Sequence, residues 1–218
     1  MFDSQAFKAN RLQVQEVGSQ LIVALCRPPA GWQRTRVLDL CAGAGGKTLA
    51  LADLVGRDGM VFAWDKSRGR LDEARRRVRR FNLVNVRFPH EPPYGEAGVI
   101  LIDAPCSGSG VLAREPDLKW KITAESVEKQ TSVQRELLHL AARAAAPGTV
   151  LVYATCSLLR GEGEAVVQRV LTEEPGLLLE PADRFVDPRF TSGPYLKLFP
   201  HKHPGGGFFA ARLIRRER

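Results

Sequence analysis

Several features are missing from this sequence, and each absence removes a class of protein. No apolar run reaches the roughly 18 to 20 residues that a membrane span needs, and the N-terminal MFDSQAFKAN lacks the apolar stretch of a secretory signal. A cytoplasmic protein is expected. Cysteine is scarce: Cys26, Cys41, Cys106 and Cys156 lie far apart with no C-x-x-C pair, so neither a zinc site nor a disulfide framework is indicated. In a reducing compartment they are free thiols. His201 and His203 in FPHKHPGG have no third ligand beside them and read as part of a polar loop, so no metal is expected. Internal repeats are absent, and GGG at 205–207 and the proline-rich FPHEPPYGEAG read as loops rather than interdomain linkers. With 218 residues, 44% of them hydrophobic, there is material for one sizeable core, and a single domain over 1–218 with a short extension over 1–13 is expected.

Acidic charge is also in deficit. Against 24 Asp and Glu stand 32 Lys and Arg, a net charge of +8 that favours polyanionic partners. The basic residues concentrate in KSRGRLDEARRRVRR and in the tail RLIRRER. In the first, Leu71, Ala74, Val78 and Phe81 recur at helical spacing, leaving Arg75, Arg76, Arg79 and Arg80 largely outside the buried face. Taken alone, that pattern favours a solvated helix face over an RNA-binding stripe.

What is present alternates short β-rich runs with longer helical ones. Strands are expected at 36–40, 60–65, 98–103, 149–155 and 207–214, and helices at 16–26, 46–55, 67–81, 124–146 and 162–173. Thr123 can cap the fourth helix and Pro147-Gly148 can end it. Near-continuous apolar strands separated by helices indicate a doubly wound α/β domain, whose ligands sit beyond the carboxyl ends of the strands. The loops after residues 40, 65, 103 and 155 should therefore share one crevice, with Cys106 and Cys156 facing it.

VLDLCAGAGGKT is a strand, an abrupt glycine turn and a helix start, where the backbone can approach a ligand and aim amides at it. A phosphate-binding loop would need glycine at residue 41, which is Cys41. Asp65 follows the glycines by about twenty residues at the end of the second strand, the place where a carboxylate takes ribose hydroxyls. GAGG is not G-x-G-x-x-G, so a single adenosyl group fits better than a dinucleotide.

Five stretches in order, VQEVGSQL, VLDLCAGAGGKT, DKSRGRL, DAPCSGSGVLAREPDLKW and YATCSLLRGEGEAVV, together resemble the RNA cytosine-5 methyltransferases of the Nol1/Nop2/Sun and RsmB type over roughly residues 14 to 215. The resemblance implies a Rossmann-like class I methyltransferase: a mostly parallel sheet with helices on both faces and a C-terminal antiparallel strand, GFFAARLI. It implies methyl transfer from S-adenosylmethionine to carbon 5 of a single-stranded or loop cytosine in ribosomal or transfer RNA, by a monomer. Cofactor contacts would come from Cys41, Ala42, Gly43, Ala44, Gly45, Gly46 and Lys47, and from Asp65, Arg70 and Asp103. Cys156 would be the nucleophile that adds to carbon 6 and Cys106 would serve product release. Asp103 would meet the ring at nitrogen 3, with Lys47 orienting it, and Lys119 is a further substrate-contact candidate; Cys26, on an apolar helix face, belongs to the core.

The chain departs from the family at three places. Ala113-Arg114 stands where a basic pair is frequent, GEGE where an E-N-E-like run is frequent, and NVRFPHEPP holds no evident counterpart of an acid near the adenine. Many relatives carry RNA-binding domains ahead of the catalytic one, whereas about a dozen residues precede VQEVGSQL, so no separate RNA-binding domain is expected within 1–218.

Overall fold

The computed structural model describes residues 3–216. In chain order the elements are α1 (Gln5–Lys8), α2 (Val17–Leu25), β1 (Arg36–Asp39), α3 (Gly46–Val55), β2 (Met60–Ala63), α4 (Arg68–Arg80), β3 (Val86–Arg87), β4 (Val99–Asp103), α5 (Ala124–Ala144), β5 (Val150–Thr155), α6 (Glu164–Glu173), β6 (Leu177–Glu180), β7 (Thr191–Ser192), β8 (Tyr195–Leu198) and β9 (Phe208–Arg215). All nine strands form one sheet in the order β3-β2-β1-β4-β5-β9-β8-β7, with β6 also paired to β9. β1 through β5 are parallel, and β9 runs antiparallel to β5. The expected class I architecture is present. No helix among the described residues is long and apolar enough to cross a membrane.

Alternate residues of the central strands feed two cores. Val37, Val99, Leu101 and Val152 pack with α2, α3 and α4 on one face; Leu38, Ile100, Ile102, Leu151 and Tyr153 pack with α5 and α6 on the other. Burial on both faces is why these strands read as continuous apolar runs. Thr123 caps α5 as expected, in a reciprocal pair with Ser126. The helix ends at Ala144, three residues short of Pro147, with Ala145 already in extended backbone at ψ 137°.

The five expected strands and five expected helices are found within two residues at each end, and four strands were not anticipated. β3 and β7 are two residues long, too short for any periodicity. β6 and β8 share the outer edge of β9, β8 against Phe208–Ala210 and β6 against Arg212–Arg215, so their pairing is set by a partner distant in sequence. The first residues assigned to the last helix, 162–163, form a 3-10 turn at Arg160–Glu162 and a cap instead.

The β9 edge also holds a fully buried cation. Arg212 donates to the Glu180 carboxylate at 2.8 Å and to the Leu25 carbonyl at 2.5 Å, and its guanidinium lies 4.0 Å from the centre of the Phe185 ring. It ties β9, β6 and α2 together. Truncating one member of a buried pair strands the other, so Arg212→Ala should cost about 3 to 5 kcal/mol in urea unfolding, and Arg212→Met, which keeps most of the volume but not the charge, nearly as much. A clearly smaller loss in Arg212→Met would show that volume, not charge, matters there.

Candidate active site

The carboxyl ends of β1, β2, β4 and β5 open onto a crevice of about 630 Å³ that reaches Cys41, Asp65, Asp103, Cys106 and Cys156. A second space of about 500 Å³ shares Cys41, Arg70, Asp103 and Cys156 with it and extends under Gly43, Ala44, Gly46 and Lys47. The expected convergence of the four loops is therefore met.

The glycine turn is held from several sides. Gly43 and Gly45 have φ of +54° and +85°, a region that side chains rarely adopt. The Gly43 amide donates to Asp65 Oδ2 at 2.9 Å, Ala42 N donates to the Trp64 carbonyl, and Arg77 Nη1 donates to the Ala44 carbonyl at 3.0 Å. Arg70 lies over Gly43, where a side chain would collide with its guanidinium. Gln15, from VQEVGSQL, donates to the Gly46 carbonyl. Asp65 does more than was anticipated: its two oxygens accept the Gly43 and Ser67 amides, so it fixes the turn and keeps further lone pairs for a ligand. Arg77 joins Arg70 in facing the loop, while Arg76 and Arg79 are exposed on α4.

Asp39, at the end of β1, went unrecognised as a site residue because an acid in VLDL reads as one polar residue in a strand. It is buried, its Oδ2 accepts from Thr48 Oγ1 at 2.7 Å, and its Oδ1 has no partner. Burial first, and the nearby Asp103 charge, push its carboxyl up to about 7 despite the Thr48 hydrogen bond. An orphaned buried oxygen beside a glycine cradle fits the ammonium of an amino-acid-bearing nucleoside. Beyond Asp65 the wall is apolar, from Trp64, Pro105, Val133 and Leu137. NVRFPHEPP supplies no acid there; its His90 carbonyl accepts the Trp64 indole N–H and holds that ring. Val133 and Leu137 gave no sequence signal, since on α5 they look like core.

Lys47 Nζ sits 2.7 Å from Asp103 Oδ2. Burial alone would lower the ammonium, but the adjoining Asp103 carboxylate outweighs it and holds Lys47 above its ordinary value. A lysine committed to Asp103 is not placed as a phosphate-binding loop would use it.

Cys106 Sγ and Cys156 Sγ are 3.3 Å apart. β4 and β5 pair in register through Asp103 and Ala154, so the two loops leave the sheet side by side. They are then laced together: Gly110 N donates to the Cys156 carbonyl, Ser109 Oγ meets Ser157 Oγ at 2.9 Å and Leu158 N donates to Ser109 Oγ. Gly207 N donates to the Gly110 carbonyl, and a methyl on Gly110 would strike the Gly207 backbone. Gly207 and Gly206 are crowded by Gly110 in turn and Gly205 has φ of +93°, which explains GGG at 205–207, a stretch that sequence showed only as a loop.

The thiols are not equivalent. The hydrogen bond from Cys106 lowers Cys156 against its burial and the Asp103 charge, with Lys47 helping, whereas that same bond, then burial, then the charges of Cys156 and Glu162, raise Cys106. Of the two thiols, Cys156 is the more readily ionised. Burial pushes Cys26 and Cys41 far up as well, and Cys26 is enclosed in the core as expected. Lys119 is exposed, lies 4.8 Å from the Trp120 ring and does not line the crevice. His203 accepts from Phe199 N and meets the Arg189 carbonyl, so its ring is spent on the loop. Among the described residues no group of three His, Cys, Asp or Glu is arranged to hold a metal ion.

Because the thiolate is the reactive form, iodoacetamide near pH 7 should alkylate Cys156 first, with Cys26 and Cys41 protected until the protein is unfolded. Peptide mass mapping over time checks the order, and labelling of Cys106 ahead of Cys156 would reverse the assignment.

A family model described as 16S rRNA methyltransferase RsmB/F matches residues 30–214. The chain is 32% identical over 213 residues to the probable ribosomal RNA small subunit methyltransferase B of Synechocystis, covering 92% of this chain and 47% of that protein. It is 34% identical over 216 residues to the ribosomal RNA small subunit methyltransferase F of Cronobacter sakazakii, covering 94% and 45%. Among solved structures, NSun6 from Pyrococcus horikoshii with SFG superposes with a TM-score of 0.85 at 28% identity, covering all of this chain and 56% of that one. The chain thus spans about half the length of these relatives. The chain belongs to the RsmB/F family of 16S rRNA methyltransferases.

Proposed function

We propose that the chain is a catalytic domain that transfers a methyl group from S-adenosylmethionine to carbon 5 of a cytosine in ribosomal RNA, through a covalent bond between Cys156 and carbon 6. The observation that carries this reading is the pair of sulfurs 3.3 Å apart at the mouth of two parallel strands, facing the Lys47–Asp103 ion pair. Neither a hydrolase nor a binding module needs that arrangement. The family match and a structural neighbour solved with SFG, an analogue of S-adenosylmethionine, support the cofactor and the RNA class.

The residues present fit the cofactor. Asp39 Oδ1 would take its ammonium, the Gly43–Lys47 turn its amino-acid carboxylate, Asp65 its ribose hydroxyls, and the Trp64, Pro105, Val133 and Leu137 wall its adenine. Bound there, S-adenosylmethionine supplies an electrophilic methyl on a sulfonium. Cytosine carbon 5 is too weak a nucleophile to take it unaided. Cys156 adds its sulfur to carbon 6, which makes carbon 5 enamine-like. The charge delivered to the ring collects at nitrogen 3. There nitrogen 3 takes a proton from water, to which it returns when the adduct breaks, and Asp103, held by Lys47 at Oδ2, accepts the hydrogen bond from that N–H through its other oxygen. After transfer the proton on carbon 5 leaves to a base, and Cys156 departs as its carbon–sulfur bond breaks. The target base must leave any stack to reach this crevice, so a single-stranded or loop cytosine is the substrate. Exposed Arg76 and Arg79 on α4 would contribute to phosphate binding.

Cys156→Ala should abolish methyl transfer to 16S rRNA while leaving S-adenosylmethionine binding unchanged, whereas Cys106→Ala should accumulate a protein–RNA adduct that survives denaturing electrophoresis. An adduct that needs Cys106 and not Cys156 would exchange the two roles.

The raised Asp39 carboxyl yields a second test. Near pH 7 it is partly protonated, and an arriving ammonium favours the carboxylate, so binding expels a proton. S-adenosylmethionine affinity should therefore climb as pH rises toward about 7 and level off above it. Calorimetry in buffers of different ionisation enthalpy should detect the released proton, and Asp39→Asn should remove both the release and the slope. A slope unchanged in Asp39→Asn would place the ammonium elsewhere.

A further inference from the structure

Glu162 takes no part in the chemistry above, yet it is fully buried beside the two thiols. Its carboxylate accepts from Ser107 N at 2.8 Å, from Ser107 Oγ at 2.5 Å and from Gln134 Nε2 at 3.1 Å, and all three donors are neutral. Gln134 in turn donates to the Pro105 carbonyl at 2.8 Å, so Cys106 is clamped through the residues on both sides of it. Glu162 is itself held, because Tyr153 Oη of β5 donates to its carbonyl at 2.6 Å, three residues before Cys156. The carboxylate also lies just ahead of α6, where helix amides favour negative charge.

We propose that Glu162 is a positioning residue for the release step, holding the Pro105–Ser107 turn so that the Cys106 thiol stays against the sulfur of Cys156. The proposal rests on the reading that Cys156 forms the adduct. In release, the proton on carbon 5 goes to a base and the electrons of that bond restore the double bond between carbons 5 and 6. The carbon 6–sulfur bond breaks, and its electron pair leaves on Cys156 as a thiolate. Cys106 S–H steadies that thiolate by hydrogen bonding, and the pair ends as it began, with the proton on Cys106 and the charge on Cys156. The fixed Glu162 carboxylate, held against Ser107, favours this division by opposing a charge on Cys106. A buried carboxylate serving only to cap α6 would account for the contact to neither Ser107 nor Gln134.

The test uses Glu162→Gln, with Ser107→Ala as a second variant that weakens the clamp and leaves the buried carboxylate in place. Wild type and both variants are given 16S rRNA and S-adenosylmethionine, and turnover, cofactor affinity, melting temperature and adduct on denaturing gels are read together. Turnover in Glu162→Gln should fall by about ten- to a hundredfold, toward the low end of what acid–base assistance contributes. Cofactor affinity should stay within about twofold, a change too small for a lost ligand contact, and adduct should build up as in Cys106→Ala. Adding Glu162→Gln to Cys106→Ala should slow turnover no further, since both act on one step. Lost turnover without adduct in either folded variant, or additive losses in the double variant, would overturn the assignment and leave Glu162 as part of the scaffold. Failure of the underlying reading looks different: wild type given RNA carrying 5-fluorocytidine, from which no proton can leave carbon 5, would then trap no adduct at all.

Discussion

Two sulfur atoms 3.3 Å apart in a partly buried crevice can carry one negative charge between them, because a second would face the first at close range with little water to screen it. The rest of the site is arranged around where that single charge lies. Lys47, with Asp103, acts from the Cys156 side; Glu162 acts from the Cys106 side. A thiolate stabilised by a neighbouring S–H is a nucleophile with its proton donor already in contact. The same contact explains why Cys41, which also lines the crevice, is no substitute: burial and the Asp39 and Asp103 charges both oppose its ionisation.

Holding that contact falls to the sheet and to hydrogen bonds between loops. Adjacent parallel strands of matched register deliver Asp103 and Ala154 to the same level, and the chain then needs three more residues on β4 and two on β5 to place the thiols. Loops alone would drift. The serine hydroxyls of Ser107, Ser109 and Ser157, the Gly110 amide and the Glu162 carboxylate replace a third strand by satisfying backbone groups that would otherwise face the crevice unpaired. Gly207, the residue before β9, closes the arrangement, which is why the antiparallel edge matters to the site as well as to the fold.

The cofactor side is built on a different economy of groups. Asp65 orders the glycine turn through its amides, Arg77 and Gln15 hold the turn's carbonyls, and Asp39 is left with an oxygen that nothing in the protein satisfies. Buried polar atoms are rarely left unpaired without a reason. In the proposed reading the reason is a ligand cation, and the cost of the raised Asp39 carboxyl in the free protein would become a gain on binding.

The sequence by itself determined the parallel core, because strands buried on both faces must be continuously apolar and the helices between them must show one apolar stripe. It also determined the placement of the glycine turn, Asp65, Asp103, Cys106 and Cys156 around one crevice, since a doubly wound sheet opens its ligand site at the strand ends. The tertiary structure alone decided the rest. Asp39, Arg77 and Glu162 are ordinary charged residues in the chain, and their roles come from being buried against groups 9, 33 and 55 residues away. β6 and β8 became strands by pairing with β9, a partner that local propensity does not register. Which of two similar cysteines carries the charge was undecided by D-A-P-C-S and A-T-C-S alone, because the answer depends on which side of the sulfur pair the ammonium and the carboxylate occupy.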